Sequence, residues 1–414
     1  MPGIARQRAD FLPRFLANPL VEACASSPVV VLTGARQTGK STLVQLPAVR
    51  GNRLYLTLDD LDVLEQAGHA PDDLVRRAPA LVLDEVQRSP ELLLAIKRAV
   101  DERRTPGRFL LTGSANLLLM RRVAESLAGR ATYLTLWPLT RREQLGFGES
   151  GRWEVFFDLP PAAWPDVLRA SAAPDEPWED WVRRGGYPTP AYHHGRGRDR
   201  ERWFDGFLRT YIERDLTDLA AIEYAADLRR LMRACALRLG NLLNQADLAR
   251  DVGLAPSTAQ RYLHLLETTY QLVRLPAYAV SRTKRLVKSP RVFWTDTGLA
   301  FHLSGLDAPT GAHLENLIVT DLLAWREAQV RWPEILYWRT AKGAEVDIVI
   351  EWDGRLLPIE VKAASRVGHR DARHLRTFMD EYGAAVRGAL LLYTGDEMFW
   401  LSERVLAVPW WRVV

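Results

Sequence analysis

A chain of 414 residues is long enough for two or three domains, and 47% apolar against 26% charged residues is the balance of a soluble globular protein with a substantial core. The net charge of +4 is mildly basic, so it permits contact with nucleic acid without requiring it. Cys24 and Cys235 are the only cysteines, which argues against a disulfide framework or a cysteine zinc site, and the opening run Met1–Arg8 lacks the apolar centre of a secretory signal. The expectation is a cytoplasmic protein with no membrane partner.

The first 150 residues read as one α/β domain. Pro28–Thr33 is short, β-branched and uninterrupted, the pattern of a buried parallel strand. It runs into Gly34-Ala35-Arg36-Gln37-Thr38-Gly39-Lys40-Ser41-Thr42, whose glycines let successive N–H groups face one anion. In such a phosphate-binding loop Lys40 reaches the β/γ phosphates, Ser41 ligates Mg²⁺, and the helix over 41–46 points its positive end at the phosphates. The competing reading is a chance glycine-rich turn. Four more strands are expected at Arg53–Leu58, Ala80–Leu83, Phe109–Thr112 and Thr132–Leu136, separated by helices such as Ser89–Arg103. Strands alternating with helices imply a parallel sheet with ligands at its carboxyl ends.

In that geometry Asp84 is placed to hold the Mg²⁺ shell of a bound ATP, and Glu85 to orient or deprotonate the attacking water. Acidic pairs after strands also cap helices, so the loop upstream is what gives them this meaning. Ser114 or Asn116 can sense a γ-phosphate or merely cap the next helix. Arg130 can stabilise charge developing in phosphoryl transfer, in cis or from a neighbouring subunit, or be a solvated surface arginine.

Residues from about Glu149 to Arg200 differ in composition, rich in Trp, Pro, Gly and Asp, and residues 151–225 suggest a helical lid and connector with a mobile junction around His193–Arg200. Residues 226–288 match a winged helix–turn–helix. Ala246, Leu248 and Ala249 would face inward on its first helix, with Gly253 in the turn and Pro256 opening the second helix. That second helix would present Ser257, Thr258, Gln260, Arg261 and His264 to phosphates or base edges. Tyr270–Ala279 and Ser281–Lys288 would form a two-stranded wing whose tip carries Lys284 and Arg285. DNA is one partner for this surface; a protein partner, with the module packed on the ATPase, is the other.

Residues 289–414 read as a second α/β domain, with strands at Ile335–Arg339, Glu345–Trp352 and Leu356–Lys362, extended by Ala389–Tyr393 and Met398–Ser402. Glu360 and Lys362 are two apart and share one face of their strand, Asp347 lies on the paired strand, and Glu315 sits on an upstream helix. Carboxylates with a nearby lysine in this order resemble a PD-(D/E)XK nuclease. That resemblance implies Glu315, Asp347 and Glu360 around Mg²⁺ or Mn²⁺, with Lys362 steadying the attacking water. The alternative is a strand-edge ion pair between Glu360 and Lys362. Trp410-Trp411 would pack in the core or an oligomer interface.

The whole chain resembles a family of AAA-type P-loop ATPases of bacteria and archaea whose C-terminal half is a domain of unknown function. The residues that carry the likeness are Gly34–Thr42, Asp84-Glu85-Val-Gln87-Arg88, Leu127-Ala-Gly-Arg130, Gly185-Gly-Tyr-Pro188 and Tyr211-Ile-Glu-Arg214-Asp215. Ser289–Gly298 and Gly343–Asp347 complete it. The expected fold is therefore an α/β AAA-type parallel-sheet ATPase domain, a helical and winged-helix middle, and an α/β nuclease-like C-terminal domain. The expected activity is ATP hydrolysis with DNA as partner, in DNA processing or repair and on branched DNA, within a homo-oligomer such as a hexamer. The alternative is an ATP-gated regulatory or defence switch whose inactive nuclease-like domain binds DNA or a protein.

Overall fold

The computed structural model describes residues 11–113, 127–171, 176–193, 197–211 and 225–414. In the first domain β1 (Val29–Thr33), β2 (Leu54–Thr57), β3 (Leu81–Asp84), β4 (Phe109–Thr112) and β5 (Ala131–Thr135) form an all-parallel sheet in the order β2-β3-β4-β1-β5. Every residue of β1, β3 and β4 is buried, as expected for a central parallel sheet covered on both faces. The helix Pro90–Glu102 covers one face with Leu92, Leu93, Ile96 and Val100, and Ala17–Ser26 covers the other through Leu20 and Cys24. Because β4 lies between β1 and β3, its carboxyl end stands between the glycine-rich loop and Asp84.

The connector contains the short helices Val155–Asp158, Trp164–Leu168 and Trp178–Arg184, then Arg198–Thr210 and Ala225–Leu237. Residues 194–196, within the expected junction, lie outside the described residues, as do 212–224 with Arg214 and Asp215. The helix–turn–helix is formed by Gln245–Asp251 and Pro256–Thr268. Asn244 caps the first of these, its side chain accepting from the amides of Ala246 and Asp247. Leu248 and Ala249 are buried, but Ala246 sits exposed in the first turn.

The expected wing is built differently. β6 (Leu272–Leu275) pairs antiparallel with β7 (Arg291–Trp294), and the basic segment folds as the helix Arg282–Val287. The wholly buried Val292-Phe293-Trp294 run makes the better strand, whereas 281–288 has no apolar alternation to give one buried face. The β6–β7 pairing crosses the expected boundary at 288/289, so the middle and C-terminal regions are joined by a sheet.

The C-terminal sheet has six strands in the order β12-β13-β11-β10-β9-β8. β8 (Glu334–Arg339), β9 (Glu345–Trp352) and β10 (Arg355–Lys362) form an antiparallel meander; β11 (Ala389–Tyr393) and β13 (Val405–Pro409) add parallel, and β12 (Phe399–Ser402) closes the edge. One apolar core runs from the connector through the helix–turn–helix into this sheet and includes Trp153, Trp294, Trp325, Trp410 and Trp411. Among the described residues no helix is long and apolar enough to cross a membrane.

Candidate functional site

Gly34 leaves β1 with φ of 135°, and a Cβ there would collide with the carbonyl oxygen of Leu136 just past β5. Only glycine passes this close to neighbouring backbone. Gln37 (φ 62°) and Gly39 (φ 93°) supply the left-handed turns that curl the loop. Lys40 opens the helix Lys40–Gln45 and is almost fully buried; its Nζ donates to the carbonyls of Ala35 at 2.7 Å and Gly34 at 3.1 Å. The ammonium is thereby folded over the loop whose amides would cradle an anion. Ser41 follows, half-buried.

Asp84 ends β3 with its carboxylate accepting from Tyr55 Oη at 2.7 Å and from Thr112 Oγ1 at the end of β4. Glu85 takes a left-handed backbone (φ 58°), which for a non-glycine residue costs on the order of 1–3 kcal/mol and aims its side chain off the end of the strand. Gln87 Nε2 donates to its carboxylate. Burial pushes the Glu85 carboxyl above its ordinary value; the Gln87 bond opposes this, Asp84 adds to it and Lys40 opposes it. A carboxylate made more basic beside an ammonium is suited to accepting a proton from water. Tyr55 and Thr112 have no signal of their own in the sequence, because a strand-borne hydroxyl gains its role only from the neighbouring strand.

A collar of side chains holds the loop. Arg14 donates to the carbonyls of Thr38 at 2.7 Å and Trp137 at 2.6 Å and pairs with Glu143 at 3.0 Å. Tyr270, the second residue past the helix Pro256–Thr268, donates its hydroxyl to Thr33 Oγ1 at 3.0 Å and packs edge-on against Trp137. Glu327 accepts from the Thr135 amide at 2.8 Å. The buried carboxylate of Asp296 accepts from the amides of Gly186 at 2.6 Å, Tyr187 at 3.1 Å and Leu299 at 2.7 Å, while Leu139 donates to Gly186. Gly185–Pro188 and Ser289–Gly298 are thus two halves of one joint against the ATPase domain. Complete burial raises Asp296 to about 6 despite these amide bonds.

Ser114 and Asn116 lie outside the described residues. Arg130 stands at the opposite end of the sheet from the loop. Ala131 pairs with Val29, the first residue of β1, so the length of the strand, roughly 16 Å, separates Arg130 from its own chain's loop. Its guanidinium grips Asp101 with two bonds of 2.6 and 3.0 Å. Action in cis is therefore excluded by topology.

In the C-terminal domain Glu315, Asp347, Glu360 and Lys362 converge. Lys362 Nζ donates to Glu360 Oε1 at 2.6 Å, and Asp347 accepts from the Val361 amide at 2.9 Å. Between them stands Arg291, pairing with Glu315 at 2.8 Å, Asp347 at 3.5 Å and Glu345 at 3.8 Å. Burial first, then Asp347, pushes both Glu315 and Glu360 up to about 8, against the pull of Arg291 on Glu315 and Lys362 on Glu360. Among the described residues no three His, Cys, Asp or Glu side chains stand in ion-holding geometry. The donor set fits a divalent ion poorly as arranged, because a buried guanidinium occupies the place of the cation. Arg291 lies in the Ser289–Gly298 run that carries the family likeness, but nothing near it in the chain announces these carboxylates, because it comes from a different strand pair.

Ser257, Gln260, Arg261 and His264 are exposed along one side of their helix and Thr258 is half-buried. Lys284 is exposed, but Arg285 is buried, bound to Glu334 at 2.7 Å and Glu351 at 2.6 Å over the Tyr278 ring. Arg285 therefore serves the fold and not a DNA-facing tip.

A family model described as an AAA domain matches residues 26–145, and models described as domains of unknown function match 175–310 (DUF8612) and 310–413 (DUF4143). An uncharacterized protein of Mycobacterium tuberculosis is 32% identical over 406 residues, spanning 96% of this chain and 83% of its own, and one from Mycobacterium bovis matches to the same extent. Among solved structures, a Walker-type ATPase of Pyrococcus abyssi aligns over 71% of this chain and 99% of its own, at 16% identity and a TM-score of 0.42.

Proposed function

We propose that this chain, which belongs to the family of these mycobacterial proteins and is itself an AAA-type P-loop ATPase with a C-terminal DUF4143 domain, hydrolyses ATP to ADP and phosphate and uses the nucleotide state to govern its hold on DNA. In this reading the loop amides of Gly34–Thr42 and Lys40 bind the phosphates, which requires Lys40 to exchange its two carbonyl partners for phosphate oxygens. Mg²⁺ would be held by Ser41 and Asp84 and would neutralise charge on the phosphate oxygens when bound. Glu85 receives the proton of the attacking water, and Thr112 and Tyr55 keep the Asp84 carboxylate oriented. In this reading Arg130, at the amino end of β5 and out of reach of its own loop, exchanges Asp101 for a neighbouring subunit's phosphates, which requires a homo-oligomer such as a hexameric ring.

The observation that carries the coupling is the Tyr270–Thr33 bond. Thr33 is the last residue before the loop, and Tyr270 follows the helix that presents Gln260 and Arg261. A shift of the loop on nucleotide binding is transmitted to that helix through one hydroxyl and the Trp137 ring. Branched DNA in processing or repair is the substrate class proposed for this motor. Purified protein should release phosphate from ATP, and Lys40→Ala and Glu85→Gln should each remove turnover; retention of turnover in both refutes the assigned roles.

The position of Arg291 favours a second reading for the C-terminal domain: it binds without cutting, and the protein acts as an ATP-gated switch. Incubation of plasmid, branched and single-stranded DNA with Mg²⁺ or Mn²⁺, with Asp347→Ala and Lys362→Ala as controls, separates the two. Cleavage lost in both variants establishes a nuclease; no cleavage by the wild type favours the switch.

A further inference from the structure

Beside the Glu360–Lys362 pair the surface opens into a cleft of about 570 Å³. Its walls come from the loop after β10 and the first turns of the helix Arg373–Tyr382, and they carry Lys362, His369, Arg370, Arg373 and Arg376. The lining carries Lys362, Arg370, Arg373 and Arg376 against the two acids Glu360 and Asp371, an excess of two positive charges. Several exposed arginines elsewhere are matched locally by acids, as in Arg98–Asp72, Arg230–Asp227 and Arg250–Asp247. Here, among the described residues, no carboxylate lies within ion-pair distance of Arg370, Arg373 or Arg376.

Two of these three arginines are held in place. Arg376 donates to the carbonyl of His369 at 2.8 Å, Arg373 contacts His374 at 3.0 Å, and His374 bonds in turn to the Glu345 carbonyl at 3.1 Å. Gly368 donates to Asp371 at 2.8 Å, which closes the loop, and the Asp371 charge also acts on Lys362. Concentrating unpaired guanidinium groups is electrostatically unfavourable in the free protein, and an anion that bridges them removes that penalty. Guanidinium forks match phosphate oxygens two at a time, and the open shape admits a continuous strand and not only a small ion.

We propose that this cleft binds the phosphodiester backbone of nucleic acid, with Arg370, Arg373 and Arg376 on successive phosphates and Lys362 at its floor. The inference rests on the reading that the chain works on DNA, and it moves the main phosphate contacts from the helix–turn–helix to the C-terminal domain. Contacts of this kind set register and affinity without reading sequence.

The test is fluorescence anisotropy of the full chain with a labelled single-stranded oligonucleotide, at salt from about 50 to 200 mM. Arg370→Gln/Arg373→Gln/Arg376→Gln should weaken binding by roughly 10- to 100-fold and lower the log–log salt slope by about 2, as expected for three lost phosphate contacts on a single strand. The corresponding triple Arg→Lys variant, which keeps the charge, should retain most of the affinity and shows that the site and not the fold was changed; circular dichroism melting of both variants checks the fold directly. Gln260→Glu/Arg261→Glu should have the smaller effect. Wild-type affinity in the triple Gln variant, with loss in the helix variant, overturns the cleft and leaves the DNA reading standing. Absence of binding by the wild type overturns both. Displacement of the oligonucleotide by inorganic phosphate, or equal binding of a polyglutamate peptide, overturns the assignment to a nucleic-acid backbone.

Discussion

Replacing Arg291 by Met tests the charge arrangement at the heart of the C-terminal domain. The substitution keeps an apolar stem but removes the one cation that meets Glu315, Asp347 and Glu345. Breaking a buried pair by deleting one partner costs about 3–5 kcal/mol, because the remaining charges lie uncompensated in low dielectric. The sign of the pH dependence follows from the carboxyls. Glu315 and Glu360 are raised to about 8, so their protonated forms favour the folded state; the stability they add is full below about pH 4 and is lost as pH rises toward 8. The loss is about 1.4 kcal/mol per pH unit for each proton retained. Without Arg291 the Glu315 carboxyl should hold its proton more firmly still. The deficit of Arg291→Met should therefore be small near pH 5 and approach its full value near pH 8, where wild type still has a cation opposite the ionised carboxylates. For a cooperative unit of 150–250 residues each kcal/mol is roughly 2–4 °C, so the melting midpoint near pH 8 should fall by about 10 °C. Scanning fluorimetry across pH measures this, and millimolar Mn²⁺ should recover part of the loss in the variant but not shift the wild type. Equal midpoints for both proteins at pH 8 would refute the argument.

Mixing Lys40→Ala with Arg130→Ala subunits should restore turnover above either alone, since one of the two orders of a mixed interface joins an intact loop to an intact Arg130; no recovery in a phosphate-release assay removes the trans role. Tyr270→Phe loses one neutral hydrogen bond, about 1 kcal/mol of stability, and the ratio of DNA-stimulated to basal ATP turnover should fall toward one; an unchanged ratio means the Thr33 contact transmits nothing. Asp296→Asn substitutes an amide NH₂ for one acceptor among the Gly186 and Tyr187 amides, and should cost about 2 kcal/mol in a denaturant midpoint. A loss under about 0.5 kcal/mol would show that the joint does not depend on that charge.

The nucleotide-binding elements were legible because their chemistry is local. A loop of consecutive residues after an apolar run specifies its own geometry, and Asp84-Glu85 sits at the end of a run equally plain to read. The helix–turn–helix was legible for the same reason, through Asn244, Gly253 and Pro256. The wing was misread because a basic segment next to a strand looks like a tip, and nothing near Arg285 in the chain announces Glu334 and Glu351 on β8 and β9. Likewise Asp296 caps the helix Thr297–Ser304, and that it also clasps Gly186 and Tyr187 follows only from folding 110 residues back upon themselves.

The amino-acid sequence by itself determined the phosphate-binding loop, the acidic pair, the five strands of the first domain, and the three carboxylates and lysine of the C-terminal domain. These depend on residue type and spacing within a few positions. The tertiary structure decided what each group faces. It set Arg130 at the amino end of β5, Arg291 among the carboxylates, Tyr270 against Thr33 and the unmatched arginines around an open cleft. Each is a contact between segments distant in the chain, where partner and distance are set by strand register and core packing, and no local pattern encodes either.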